Sequence, residues 1–116
     1  MNKGVLREKS YAFALRIVKL CRYLAEQKKE FILSKQILRS GTSIGANVEE
    51  AFQGQSTADS ISKLSISLKE SFETNYWLRL LRDGEYLSEK EAESMLNDCE
   101  ELQKLLTASI KTAKNK

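Results

Sequence analysis

Not one of the 116 residues is proline, and only five are glycine. Proline is the residue that ends or kinks a helix, because it lacks an N–H and its ring clashes with the preceding turn. Nothing in this chain obliges a long helix to break. Runs of β-branched residues bounded by turn pairs, which would announce strands, are absent. Apolar residues recur instead at intervals of three and four, the signature of amphipathic helices.

Four such stretches follow one another, at about 7–28, 32–54, 58–82 and 89–113. The first presents Phe13, Ile17, Leu20, Cys21 and Leu24 on one side, and the second Ile37, Gly41, Ile44, Val48 and Phe52. The third reads Ile61, Leu64, Leu68, Phe72 and Tyr76, with Thr57 or Asp59 as its cap. Asp83-Gly84 ends it, Gly84 suiting the left-handed position after a helix. Ser88 with Glu91 forms a capping box ahead of Ala92, Met95, Leu96, Cys99, Leu102, Leu106 and Ile110. The basic end, Lys111 to Lys116, suits the helix dipole and is expected to fray. Short connections make sequential helices antiparallel, so the expected fold is all-α: a single-domain, up-down-up-down four-helix bundle spanning 1–116.

Several function classes drop out on composition. Hydrophobic residues make up 41% and charged ones 30%, too apolar for a disordered chain. No stretch reaches the ~20 apolar residues of a membrane span, so no membrane partner and a cytoplasmic location are expected. Cys21 and Cys99 lie far apart on apolar faces and read as reduced core residues. Histidine is missing altogether, which removes the commonest general base and the usual transition-metal ligand. Glu70 and Glu73 lack the Glu-x-x-His partner of a di-iron bundle, and Gly41 and Gly45 lack the lysine and strand of a phosphate loop. No enzyme, no cofactor and no metal are expected; a carboxylate site at Glu50, Glu70 and Glu73 is the competing option.

Two helices are two-sided. Opposite its core side, the second carries Arg39, Ser43, Asn47 and Glu50; the third carries Ile66, Glu70, Glu73, Trp77 and Leu81. The economical reading is a hydrogen-bonded layer in which Arg39 and Asn47 satisfy Glu70 and Glu73, against the alternative of a ligand or partner site. Gly41 and Gly45 narrow the second helix, so some backbone approaches closely there, from this chain or another.

Charge is uneven. The balance is +3 overall, but residues 1–40 hold ten basic and three acidic side chains, a local +7. Lys9, Arg16, Lys19 and Arg22 fall on the outward arc of the first helix, with Lys28, Lys29 and Lys35 near its far end. Such an array can meet successive phosphates, which makes these the candidate nucleic-acid contacts. Beside them Tyr11, Leu15 and Val18 form an apolar flank, with Tyr23 another aromatic off the core, and point to self-association.

The run 37–51, Ile-Leu-Arg-Ser-Gly-Thr-Ser-Ile-Gly-Ala-Asn-Val-Glu-Glu-Ala, followed by 69–78, Lys-Glu-Ser-Phe-Glu-Thr-Asn-Tyr-Trp-Leu, resembles the four-helix-bundle family encoded in intervening sequences of bacterial 23S rRNA genes. The accessory variability proteins of diversity-generating retroelements look similar. The resemblance implies a homopentameric barrel without enzymatic activity; in the retroelement branch the pentamer binds nucleic acid and a reverse transcriptase. Carried over by position, its recurrent polar residues are Arg39, Ser43, Asn47, Glu50, Glu70 and Glu73, with Trp77 beside them. The modest net charge and acidic fourth helix place this chain nearer the rRNA type. Together these readings lead to a homo-oligomeric adaptor that binds RNA, DNA or a nucleic-acid enzyme, with a protein-interaction scaffold as the alternative.

Overall fold

The computed structural model describes residues 3–115 as four helices, α1 (Lys3–Lys28), α2 (Leu33–Phe52), α3 (Thr57–Asp83) and α4 (Glu89–Lys114). Cross-helix pairs run in opposite numerical order at every seam. Arg7 meets Glu49 while Cys21 meets Ser34; Lys63 meets Glu50 while Thr74 meets Ser40. Arg82 reaches Glu93 and Ser71 reaches Cys99, while Lys9 and Arg16 reach Glu101 and Asp98. Each neighbouring pair is therefore antiparallel, and α1 packs on α2 and α4 but not on α3. Among the described residues no helix is long and apolar enough to cross a membrane.

Local chemistry sets the helix ends. Glu30 folds back so that its carboxylate accepts from the backbone N–H groups of Ile32, Leu33 and Ser34, at 2.9–3.2 Å. A negative charge on three orphan donors is the favourable arrangement for a helix start. Ser56, not Thr57 or Asp59, caps α3, its hydroxyl accepting from the Asp59 N–H. Ser88 caps α4 through the Glu91 N–H, as the capping box requires. Gly84 is not left-handed: it has φ −80°, and Glu85 takes the left-handed position at φ 67°. Tyr86 and Glu85 donate to the carbonyls of Leu81 and Arg82, which closes the helix in the Schellman pattern. α1 starts earlier than its apolar stripe, and α2 stops at Phe52 rather than Gly54. α4 runs through Lys114, whereas Lys116 lies outside the described residues.

The stripes expected for α1, α2 and α4 face the core, with Cys21, Phe52 and Ile110 half-buried at its margin. α3 departs from expectation. Phe72 and Tyr76 are exposed, while Leu64, Ser67, Ser71, Thr74, Leu78 and Leu81 are buried. Leu81, assigned from sequence to the second face, is fully inside. The reason is space. α2 sits between two close neighbours, and its α3 side meets hydroxyl-bearing residues that take little room. Ser67 donates to the Ile44 carbonyl at 2.8 Å, and Thr74 donates to the Ser40 hydroxyl at 2.9 Å. With their hydroxyls bonded, these small side chains are buried without the penalty of an unpaired polar group. Bulkier Phe72 and Tyr76 would hold the helices apart.

The glycine question is settled on the α1 side. A Cβ on Gly41 would come within 2.7 Å of Ile17 Cγ1, and one on Gly45 within 3.3 Å of the Ser10 carbonyl oxygen. The close approach is thus made by α1 of the same chain.

Both cysteines are free thiols. Burial pushes Cys21 up to about 11, and burial with the nearby charges of Glu100 and Asp98 pushes Cys99 up to about 12. Since only the thiolate reacts, alkylation by iodoacetamide at pH 7.5 is expected to be about 100-fold slower than for an unfolded cysteine. Mass spectrometry with and without denaturant checks this, and rapid native labelling of Cys99 would contradict it.

Candidate functional site

The polar residues of α2 lie on its α3 flank rather than opposite the core. From there Arg39 donates to Glu70 at 3.1 Å and also to Glu73, clipping two successive turns of α3 to α2. The Glu70 side chain is only 15% exposed, so its carboxylate needs this partner. Asn47 takes no part: its amide donates to the Ser43 carbonyl at 2.8 Å, one turn back in α2. Ser43 likewise donates to the Arg39 carbonyl, and Glu50 pairs with Lys63 at 3.2 Å. The expected four-residue layer is therefore a three-residue clip with Glu50 in a separate ion pair. Trp77 packs against the core with its ring edge-on to Tyr76, centroids 5.1 Å apart, and its buried Nε1 has no hydrogen-bond acceptor. Among the described residues no three His, Cys, Asp or Glu side chains come together where they could hold a metal ion.

Across the bundle the predicted basic stripe divides in two. Lys9 pairs with Glu101 at 3.1 Å, and Arg16 with Asp98 at 2.6 Å and Glu91 at 4.0 Å, so both serve the α1–α4 seam. Arg7 makes a bidentate pair with Glu49 at 2.7 and 3.1 Å and lies over the Phe52 ring. The hydrogen bond from Arg7 holds the Glu49 carboxyl below its ordinary range. Lys19, Arg22, Lys28 and Lys29, joined by Lys35 on α2, are exposed and have no carboxylate partner among the described residues.

These five cations gather toward the end of the bundle where α1 turns into α2. Glu30 adds little opposing charge there, because its carboxylate is spent on the α2 N-terminus. Phe31 and Ile32 stand exposed in the same turn, 53% and 76% accessible. Glu26 is the exposed acidic side chain nearby on α1, and a cleft on the α3–α4 side mixes Lys28 and Arg82 with Asp83, Glu85 and Glu89. In the sequence, the two adjacent apolar residues Phe31 and Ile32 beside Lys28 and Lys29 are the signal of this patch.

Tyr11, Leu15 and Val18 are exposed on the outward side of α1, as expected. α3 adds a second apolar face that the sequence expectation did not include, formed by Phe72, Tyr76 and Leu80. Its signal is the four-residue spacing of Phe72, Tyr76 and Leu80, a spacing that fits a core stripe equally well.

A family model described as 23S rRNA-intervening sequence protein matches residues 3–108, both polar runs included. The chain belongs to this family. A solved structure agrees with the assignment: a Bacteroides thetaiotaomicron protein of unknown function, from the S23 ribosomal protein family, is 55% identical and superposes with a TM-score of 0.94. The match covers 96% of this chain and 99% of that one, so the family fold is present from end to end. No curated protein matches the chain. Within the family fold, the two polar runs lie across the α2–α3 seam from one another, where Arg39, Glu70 and Glu73 join them.

Proposed function

We propose that the chain is a non-enzymatic, homo-oligomeric adaptor that holds nucleic acid, with five copies as the family resemblance implies. The observation that carries this reading is the group of five exposed cations with no carboxylate partner among the described residues, Lys19, Arg22, Lys28, Lys29 and Lys35, toward the end of the bundle where α1 turns into α2. Cations left unneutralised within the chain release counterions when they meet phosphates. Repetition around an oligomer multiplies that contribution, since linked sites act together. Phe31 among the lysines offers a ring on which an unpaired base can stack. The non-enzymatic part is supported by the missing histidine and by Arg39, which occupies both glutamates of α3. The likeness to retroelement accessory proteins adds a nucleic-acid enzyme, such as a reverse transcriptase, as the class of protein partner.

Gel-shift titrations with single-stranded and duplex RNA and DNA over a range of salt test the proposal. Binding is expected to weaken linearly in log–log form, and Lys28→Glu with Lys29→Glu to reduce the slope by about 1.5 for each chain in contact. Substituting Lys9, already paired with Glu101, is expected to change the slope far less. Binding that is absent or indifferent to salt overturns the nucleic-acid reading. Self-association without it would leave a protein-interaction scaffold.

A further inference from the structure

The outward side of α3 is an apolar surface with no role inside the bundle. Phe72, Tyr76 and Leu80 lie four residues apart and so form one line, 57%, 47% and 38% exposed. Tyr76 is held in place: Trp77 packs edge-on against it, and the Arg79 guanidinium, bonded to Asn75, sits 5.7 Å from its ring centroid. A ring already fixed loses little entropy when a partner covers it. Tyr11, Leu15 and Val18 form a comparable line on α1, with Tyr11 72% exposed.

The two lines lie at diagonally opposite corners, because α1 has α2 and α4 as its neighbours and not α3. They face away from each other. One copy cannot cover its own second face.

We infer that the α1 face of one copy docks on the α3 face of the next, in a head-to-tail contact. This rests on the self-association in the proposed function and assigns its two halves. Aromatic side chains bring 150–250 Å² each, so the observed exposures put roughly 300 Å² of apolar surface on each face. A stable partner face covers about 800 Å², somewhat over half of it apolar. Each face thus supplies most of the apolar area that one contact needs. A two-fold contact of like with like would cover one face and leave the other in water. A head-to-tail contact buries both, and closing the chain of contacts into a ring leaves neither exposed.

Light scattering on two variant chains tests the inference. Tyr11→Glu with Leu15→Glu spoils the α1 face; Phe72→Glu with Tyr76→Glu spoils the α3 face. All four side chains are exposed, and circular dichroism verifies that each variant folds. Val18→Lys and Leu80→Lys serve if either does not. The unaltered chain is expected to exceed the mass of one 13.2 kDa chain, and each variant alone to fall to it. Mixed in equal amounts, the two variants are expected to form a two-chain complex and no more, because one intact contact survives. Assembly that persists with the α3 face spoiled, or a mixture that stays monomeric, overturns the inference alone. A monomeric unaltered chain overturns it together with the self-association on which it rests.

Discussion

Ser67→Leu is expected to destabilise the bundle by about 3 kcal/mol, although it makes the α3 pattern more hydrophobic. Ser67 is completely buried against α2, and its hydroxyl donates to the Ile44 carbonyl at 2.8 Å. Leucine removes that hydrogen bond, worth about 1 kcal/mol, and introduces a larger side chain at a fully buried position of the α2–α3 seam. Overpacking of this kind costs about 1–3 kcal/mol by itself. Phe72→Ser, five residues further along but on the exposed side, is expected to change the stability of the single chain, at concentrations where copies do not associate, by about 0.5 kcal/mol or less. A helical-wheel reading of hydropathy predicts the reverse order. Urea denaturation of both variants decides between them, as long as the m-values stay unchanged. A Phe72→Ser loss larger than that of Ser67→Leu would show the α3 core to be misplaced.

Gly41→Leu is the second substitution with a large expected cost, also about 3 kcal/mol. Helix propensity favours the change by about 1 kcal/mol, because glycine is a poor helix residue. Packing opposes it more strongly. The first added atom would already lie 2.7–3.0 Å from three carbons of Ile17, which is fully buried and cannot swing aside. Pairing it with Ile17→Ala should recover part of the loss. Alone, Ile17→Ala is expected to cost about 2–5 kcal/mol, yet the double variant should be more stable than the sum of the two by about 1–3 kcal/mol. Additive losses in this cycle would mean that the two side chains do not compete for the same space.

Both predictions concern α2, which is squeezed between α1 and α3. Gly41 and Gly45 admit α1, while Ser40 and the Ile44 carbonyl receive the hydroxyls of α3. The Arg39 clip lies on the exposed margin of that second seam. In this chain Arg39, Glu70 and Glu73 thus tie α2 to α3 at the margin of the seam.

What the residues alone determined is the set of helices and their order. With no proline to interrupt them, and with the Ser88–Glu91 box marking one start, each helix follows from local preference and from the spacing of its apolar residues. The stripes of α1 and α4 could be read because large apolar side chains make up most of their buried sides, and that of α2 because Ile37, Ile44 and Val48 recur among its glycines and serines. Tertiary structure decided the rest. α3 buries Ser67, Ser71 and Thr74, and hydropathy cannot flag them, because a hydroxyl becomes acceptable inside only once a neighbouring helix or the preceding turn supplies a carbonyl or hydroxyl partner. Similarly, nothing in the spacing of basic residues distinguishes Lys9 and Arg16 from Lys19 and Arg22. The first pair faces carboxylates of α4, about 80 to 90 positions away in the chain, and the second faces none among the described residues. Whether a charge is available to a partner depends on what lies across the seam, and that is settled only when the helices come together.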